Sequence, residues 1–260
     1  LSYIDAHTHL ADPGYAGRIE LLLEDARQNH VRCLLSNAVD YETSIETIGL
    51  ARRNGNTVLA AVGVHPWTVT NRTDYSLDKF DKLLAENQDL VAAIGEVGLD
   101  GQYSQDQTKR RAQLEVFEFF LGLAQRRRLP VIVHSRLAVD EVLETLPSFN
   151  IPKVLLHWYS GPVEKLSLIR DLGYLISVGP SILYSKRTSE IARTVDLEMI
   201  LSETDGPVSY HGPFEGRMTK PSFIIDVVQK LTKLKSKPLE DVRGTIQANF
   251  HKLLPHTTRA

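Results

Sequence analysis

The sequence predicts an α/β protein folded as a single (β/α)8 barrel, the TIM-barrel architecture, over residues 1–260. Eight short apolar runs carry the first half of that reading, at about 2–7, 33–39, 57–65, 91–98, 131–136, 154–159, 174–179 and 200–205. Most are continuously hydrophobic rather than alternating, as strands covered on both faces are. Helical periodicity between the runs carries the second half. Strand and helix alternating eight times close into a barrel. A third observation agrees: imidazoles or carboxylates stand at the ends of six of the runs, the end that forms the working face of such a barrel. An open doubly wound sheet would not gather groups from six strands at one point.

The elements follow in order. After the first run, Ile19, Leu22, Leu23 and Ala26 repeat at helical spacing, and after the fourth Leu114, Phe117, Leu121 and Ala124 do so. Val139, Val142, Leu143 and Leu146 form the stripe after the fifth run, and residues 239–254 read as a last helix closing the barrel. No linker, low-complexity tract or second domain interrupts the pattern.

Composition narrows the function classes. Thirty basic residues against 32 acidic ones leave a net charge of −2, so any contact with nucleic acid must rest on local clusters. Lys109, Arg110 and Arg111 begin a helix and are expected to border the active face, whereas Arg126, Arg127 and Arg128 end it on the far face. Lys186, Arg187, Arg217 and Lys220 are expected to form a modest phosphate-binding rim, and Lys230, Lys233, Lys235 and Lys237 an ordinary exposed helix surface. The single cysteine, Cys33, excludes an internal disulfide and fits a reducing compartment. Without a long apolar span or a basic-then-apolar leader pattern, a cytoplasmic location is expected, with no membrane and no obligate protein partner indicated.

The chemistry sits in the strand-end groups. In Asp5-Ala6-His7-Thr8-His9 the two histidines are two apart on an extended strand, so both can reach one ion. Glu96 in IGEVGLD could give one oxygen to each of two divalent cations, with His134 and His157 completing the second site and Asp205 joining the first. A lone buried histidine is usually a hydrogen-bonded core residue; four of them with two acids at successive strand ends are not readily explained that way. Imidazole-rich ligation favours zinc or manganese over magnesium, although magnesium suits exchangeable positions.

The segments IDAHTHL, GVHP, IGEVGLD, VHSR, HWYSG, GYLISVG and ETDGP, in this order, resemble the TatD family of metal-dependent deoxyribonucleases over nearly the whole chain. The resemblance implies a dinuclear site: His7, His9, Glu96 and Asp205 around one ion, and Glu96, His134 and His157 around the other. It also implies hydrolysis of phosphodiesters in single-stranded or damaged DNA, as an exonuclease or an abasic-site nuclease. Trp158-Tyr159 departs from the Cys-Phe that the family commonly carries after the sixth-strand histidine, and offers either a base-stacking surface or wall packing.

Within that reading Glu96 and Asp205 are the catalytic residues, Asp205 serving as ligand and general base or as ligand alone. Asp5 and Glu203 are expected to fix histidine tautomers by accepting N–H bonds. His65 is expected to touch a phosphate oxygen or leaving group, and Arg136 either to grip a phosphate or to pair with an acid. Two other classes remain open. One is an amidohydrolase or esterase, such as a D-aminoacyl-tRNA deacylase; the other is a non-catalytic nucleic-acid-binding barrel.

Overall fold

A computed structural model of the protein describes residues 2–72, 75–104 and 106–255. Eight parallel strands form one sheet in sequence order: β1 (Tyr3–Thr8), β2 (Val31–Asn37), β3 (Val58–Val62), β4 (Val91–Gly98), β5 (Val131–His134), β6 (Val154–Leu156), β7 (Leu175–Val178) and β8 (Ile200–Ser202). Helices cover the outside: α1 (Ile19–Gln28), α2 (Tyr41–Arg53), α3 (Pro66–Asn71), α4 (Leu77–Glu86), α5 (Gln107–Arg127), α6 (Val139–Thr145), α7 (Leu166–Asp171), α8 (Lys186–Thr194), α9 (Phe223–Lys235) and α10 (Leu239–Leu253). The continuous apolar runs are continuous because both faces are covered: Leu34, Leu35, Ala60, Ala61, Val62, Ile132, Val133, Leu155 and Leu156 are fully buried.

The barrel is brought nearly closed where β8 and the turn after it come back beside β1. Ser202 Oγ donates to the Ile4 carbonyl at 2.7 Å, the Asp205 N–H to the His7 carbonyl at 2.8 Å, and the His9 N–H to the Gly206 carbonyl at 2.8 Å. No helix among the described residues is long and apolar enough to cross a membrane.

Several strands are shorter than their apolar runs. β3 stops at Val62, β6 at Leu156 and β8 at Ser202, so His65, His157 and Asp205 lie in the turns beyond rather than on the strands. The pairing slips by one residue at four places among the described residues, and two of these lie beside the site. Three β4 steps from Ile94 to Val97 face two β5 steps from Val131 to Val133, and three β1 steps from Asp5 to Thr8 face two β2 steps from Leu34 to Ser36. Each slip is a one-residue bulge, a feature that re-aims side chains beside active sites. Glu96 lies in the first bulge and His7 in the second.

Candidate metal centre

Both bulged residues turn into the mouth of the barrel, where they meet four further imidazoles and carboxylates. Around Glu96 Oε2, His7 Nε2 lies at 3.3 Å and His9 Nε2 at 3.3 Å. Asp205 Oδ1 is 3.4 Å from His7 Nε2 and 3.2 Å from His9 Nε2, and the two nitrogens are 3.2 Å apart. Five of the six edges of this four-atom cage are therefore 3.2–3.4 Å long. Ligands about 2.0–2.1 Å from a shared cation and tetrahedrally disposed lie roughly 3.3 Å apart. The His7, His9 and Glu96 donors are close enough together to share a zinc-sized ion, with Asp205 facing the two imidazoles.

The other oxygen of Glu96 serves a second group. Oε1 is 2.7 Å from His134 Nδ1 and 2.7 Å from His157 Nε2, which are 3.2 Å from each other. His65 Nε2 approaches the same oxygen at 3.2 Å and His134 Nδ1 at 3.3 Å. By distance alone His65, Glu96 and His134 could also share an ion. Its other nitrogen argues otherwise: His65 Nδ1 caps α3 by accepting the Trp67 N–H at 2.9 Å. Burial pushes the His65 ring below its ordinary pKa, holding it neutral. A neutral ring whose Nδ1 accepts carries its proton on Nε2, so it presents a donor rather than a ligand lone pair.

Neighbouring groups fix the other rings. His9 Nδ1 donates to the Asn37 carbonyl at 2.9 Å, leaving Nε2 for the cage. His134 Nε2 donates to Asp100 Oδ2 at 2.8 Å, leaving Nδ1 for Glu96. His157 Nδ1 faces Glu203 Oε2 at 3.6 Å, and Ser177 Oγ holds that oxygen at 2.5 Å. His7, His157 and Glu203 also converge closely enough to be considered as ligands. With both Nε2 atoms turned to the Glu96 and Asp205 side, however, the two Nδ1 atoms are left buried without a hydrogen-bond partner among the described residues, Glu203 standing just beyond hydrogen-bond range of His157.

Electrostatics describe a site short of positive charge. Burial alone would raise Glu96, yet the charge of His157 and the bond from His134 hold it well below the usual carboxylate range. Asp205 is lowered in the same way, against burial, by its bonds to His7 and His9. Burial opposes charging the histidines, but bonds to Asp205 and Glu96 push His9 up to about 10. His157 is raised well above its ordinary value by Glu96 and Glu203, and His134 is raised by Asp100 and Glu96. Protons gather on these rings because two buried acids need cations beside them. Metal ions are the alternative occupants.

Some expectations need correction. Asp5 accepts no imidazole N–H; its carboxylate takes the His7 backbone N–H at 3.3 Å, Thr204 N–H at 2.9 Å and Thr204 Oγ1 at 2.5 Å, pinning β1 to the chain after β8. Burial pushes this acid up to about 7. Tyr159 is not a substrate contact. It is 1 % exposed, and its hydroxyl donates to the Pro162 carbonyl at 2.7 Å. The residue follows Trp158, whose φ of +37° turns the chain so that Tyr159 points into the core. Lys109, Arg110 and Arg111 do not border the cleft either, being paired with Asp106, Glu141 and Glu115. Lys220 pairs with Asp25 at 2.6 Å, and Arg217 lies over the Phe214 and Phe223 rings.

A cleft of about 710 Å³ opens over the cluster, lined by His9, His65, Glu96, His134, His157 and Asp205 below and by Trp67, Tyr103, Arg136, Trp158 and Val208 above. Arg136 is the only lysine or arginine among the described residues lining it. Its Nε donates to Asp100 at 2.9 Å and its guanidinium lies over Tyr103, 5.1 Å from the ring centre. Asp100 and Trp67 escaped the sequence reading. Asp100 ends the IGEVGLD segment, and an acid four residues beyond a ligand is the signal that could have exposed it.

A barrel with acids and imidazoles converging at its carboxyl-terminal mouth defines a metal-dependent hydrolase. The family described as TatD related DNase matches residues 4–255, and the chain belongs to it. It is 30% identical to the uncharacterized metal-dependent hydrolase YjjV of Escherichia coli strain K12, covering 96% of this chain and 97% of that one. It is likewise 30% identical to the deoxyribonuclease TATDN3 of Homo sapiens, over 97% of this chain and 94% of that one. The crystal structure of the E. coli TatD homolog YjjV superposes with a TM-score of 0.90 at 29% identity, covering 97% of this chain and 98% of that one.

Proposed function

We propose that the protein hydrolyses phosphodiester bonds in DNA, single-stranded or damaged, at a centre built for two divalent cations. The observation that carries this is the division of Glu96, with Oε2 in the His7–His9–Asp205 cage and Oε1 against His134 and His157. A carboxylate shared between two ligand sets lets two like charges sit close together. Zinc or manganese matches the imidazole-rich donors. Cations held there lower the pKa of water and offset charge on phosphoryl oxygens.

The chain's own residues supply the rest. Asp205 lines the cleft and is held as a carboxylate, so it can orient the attacking water and accept its proton. His65 donates an Nε2–H bond toward a phosphoryl oxygen. Arg136, fixed by Asp100, adds positive charge at the rim. The new P–O bond forms opposite the departing sugar oxygen, which leaves with a proton from solvent.

The test is hydrolysis by protein loaded with zinc, manganese or magnesium. Substrates are single-stranded, double-stranded and abasic DNA beside an aminoacyl-tRNA and simple amides, with His134→Ala as control. DNA cleavage that the control lacks is expected. Turnover of the amides or the aminoacyl-tRNA with no cleavage of any DNA would overturn the proposal.

A further inference from the structure

The chain contains two tryptophans, and both line the cleft above the metal ligands. Trp67 follows His65 by two residues at the start of α3, and Trp158 follows His157 directly. In strand order β4 and β5, with Glu96 and His134, lie between them. The turns that carry the two indoles therefore flank the strands that present the shared carboxylate, and all three side chains line one cleft.

Trp67 is not spent on core packing, and Trp158 rests only one side on a small aromatic cluster while lining the cleft. Trp67 is 48 % exposed, and Trp158 is partly buried. No hydrogen bond from either indole N–H is recorded among the described residues. Their backbones, by contrast, are held. Gln113 Nε2 reaches the Pro66 carbonyl at 3.3 Å and Thr70 Oγ1 at 3.0 Å, fixing α3 beneath Trp67. Trp158 is braced on Tyr210, with ring centres 5.5 Å apart, on a small aromatic cluster with Phe214 and Phe223. Its backbone N–H donates to Ser177 Oγ at 3.1 Å. A φ of +37° is uncommon and strained for a bulky residue, and here it directs the indole to the mouth. Rigid, open aromatic faces beside a polar floor match a ligand with a flat ring attached to an anionic group.

We propose that Trp67 and Trp158 are specificity-determining residues, each stacking on an unpaired nucleobase beside the phosphate held at the metal centre. This rests on the DNA reading above and goes beyond it: the strand must arrive with its bases unstacked, and the bases supply much of the grip. Arg136, the single guanidinium among the described residues of the wall, offers the backbone few direct charge contacts. Stacking tolerates any base, because every base has a π face.

Because both tryptophans are in the site, intrinsic fluorescence reads the binding directly and independently of turnover. Metal-loaded full-length protein is titrated with a short phosphorothioate-linked oligothymidylate, which resists hydrolysis. A second titration uses an oligomer of the same charge whose sugars carry no base. The base-bearing strand should quench emission and bind at least about tenfold more tightly. Trp67→Leu and Trp158→Leu should each lose about five- to a hundredfold in affinity for it, with Trp→Phe keeping most, while binding of the base-less oligomer stays unchanged. Trp67→Leu, at an exposed position, keeps the test valid should Trp158→Leu misfold. Equal affinity for the two oligomers, or full affinity in Trp67→Leu, overturns the stacking role and leaves the nuclease reading standing. Binding of neither oligomer overturns both.

Discussion

Asp100 Oδ2 accepts the Nε2–H of His134 at 2.8 Å, and this bond decides which nitrogen of His134 faces Glu96. Partners of this kind commonly contribute 10- to 100-fold in metal affinity. Asp100→Ala should therefore weaken one of two cation-binding events by about that factor, leaving the His7–His9–Asp205 event unchanged. Isothermal titration with zinc or manganese checks this. Two unaltered events would show that the ring is oriented by packing alone.

Cation binding should release protons. His9, His157 and His134 are raised above their ordinary values, so these rings are charged near neutrality when no cation is present. Ligation needs their lone pairs. The sign follows: affinity falls as pH drops and rises with pH, with release persisting toward the His9 value of about 10. Titration at pH 7 in buffers of different ionisation enthalpy measures the proton count.

Removing the metal should also lower thermal stability, since a ligand at 100 times its Kd stabilises by about 2.7 kcal/mol. For a chain of this size that corresponds to roughly 5–10 °C in Tm. Melting curves with and without a chelator give the value.

Tyr159→Phe separates core packing from substrate contact. Loss of the bond to the Pro162 carbonyl should cost about 1 kcal/mol of stability and leave kcat/KM on DNA unchanged.

Gly98 is required for a steric reason. Its φ is +140°, and a Cβ there would lie 2.1 Å from the His134 carbonyl oxygen. Gly98→Ala should cost at least about 3 kcal/mol and weaken cation binding at the His134 side, read by denaturant melts and titration.

The barrel and its donor set were legible because they rest on short-range signals. Buried parallel strands are uniformly apolar, so polar groups such as His7 and Glu96 stand out against them. The bulges that aim those two residues were not legible, because register is set by pairing between distant strands. Nor could spacing show that Tyr159 turns inward, since the turn depends on the φ of Trp158. The basic clusters misled partly for a related reason: two of their acidic partners, Glu141 for Arg110 and Asp25 for Lys220, are far away in sequence.

The seam between β1 and β8 also orders events during synthesis. His7 and His9 are made well before Asp205, whose N–H bonds the His7 carbonyl and which follows nearly two hundred residues later. A nascent chain halted before that point cannot assemble the cage, however much of its sheet has formed. Capture of the ion thus waits for the chain after β8 to return to β1.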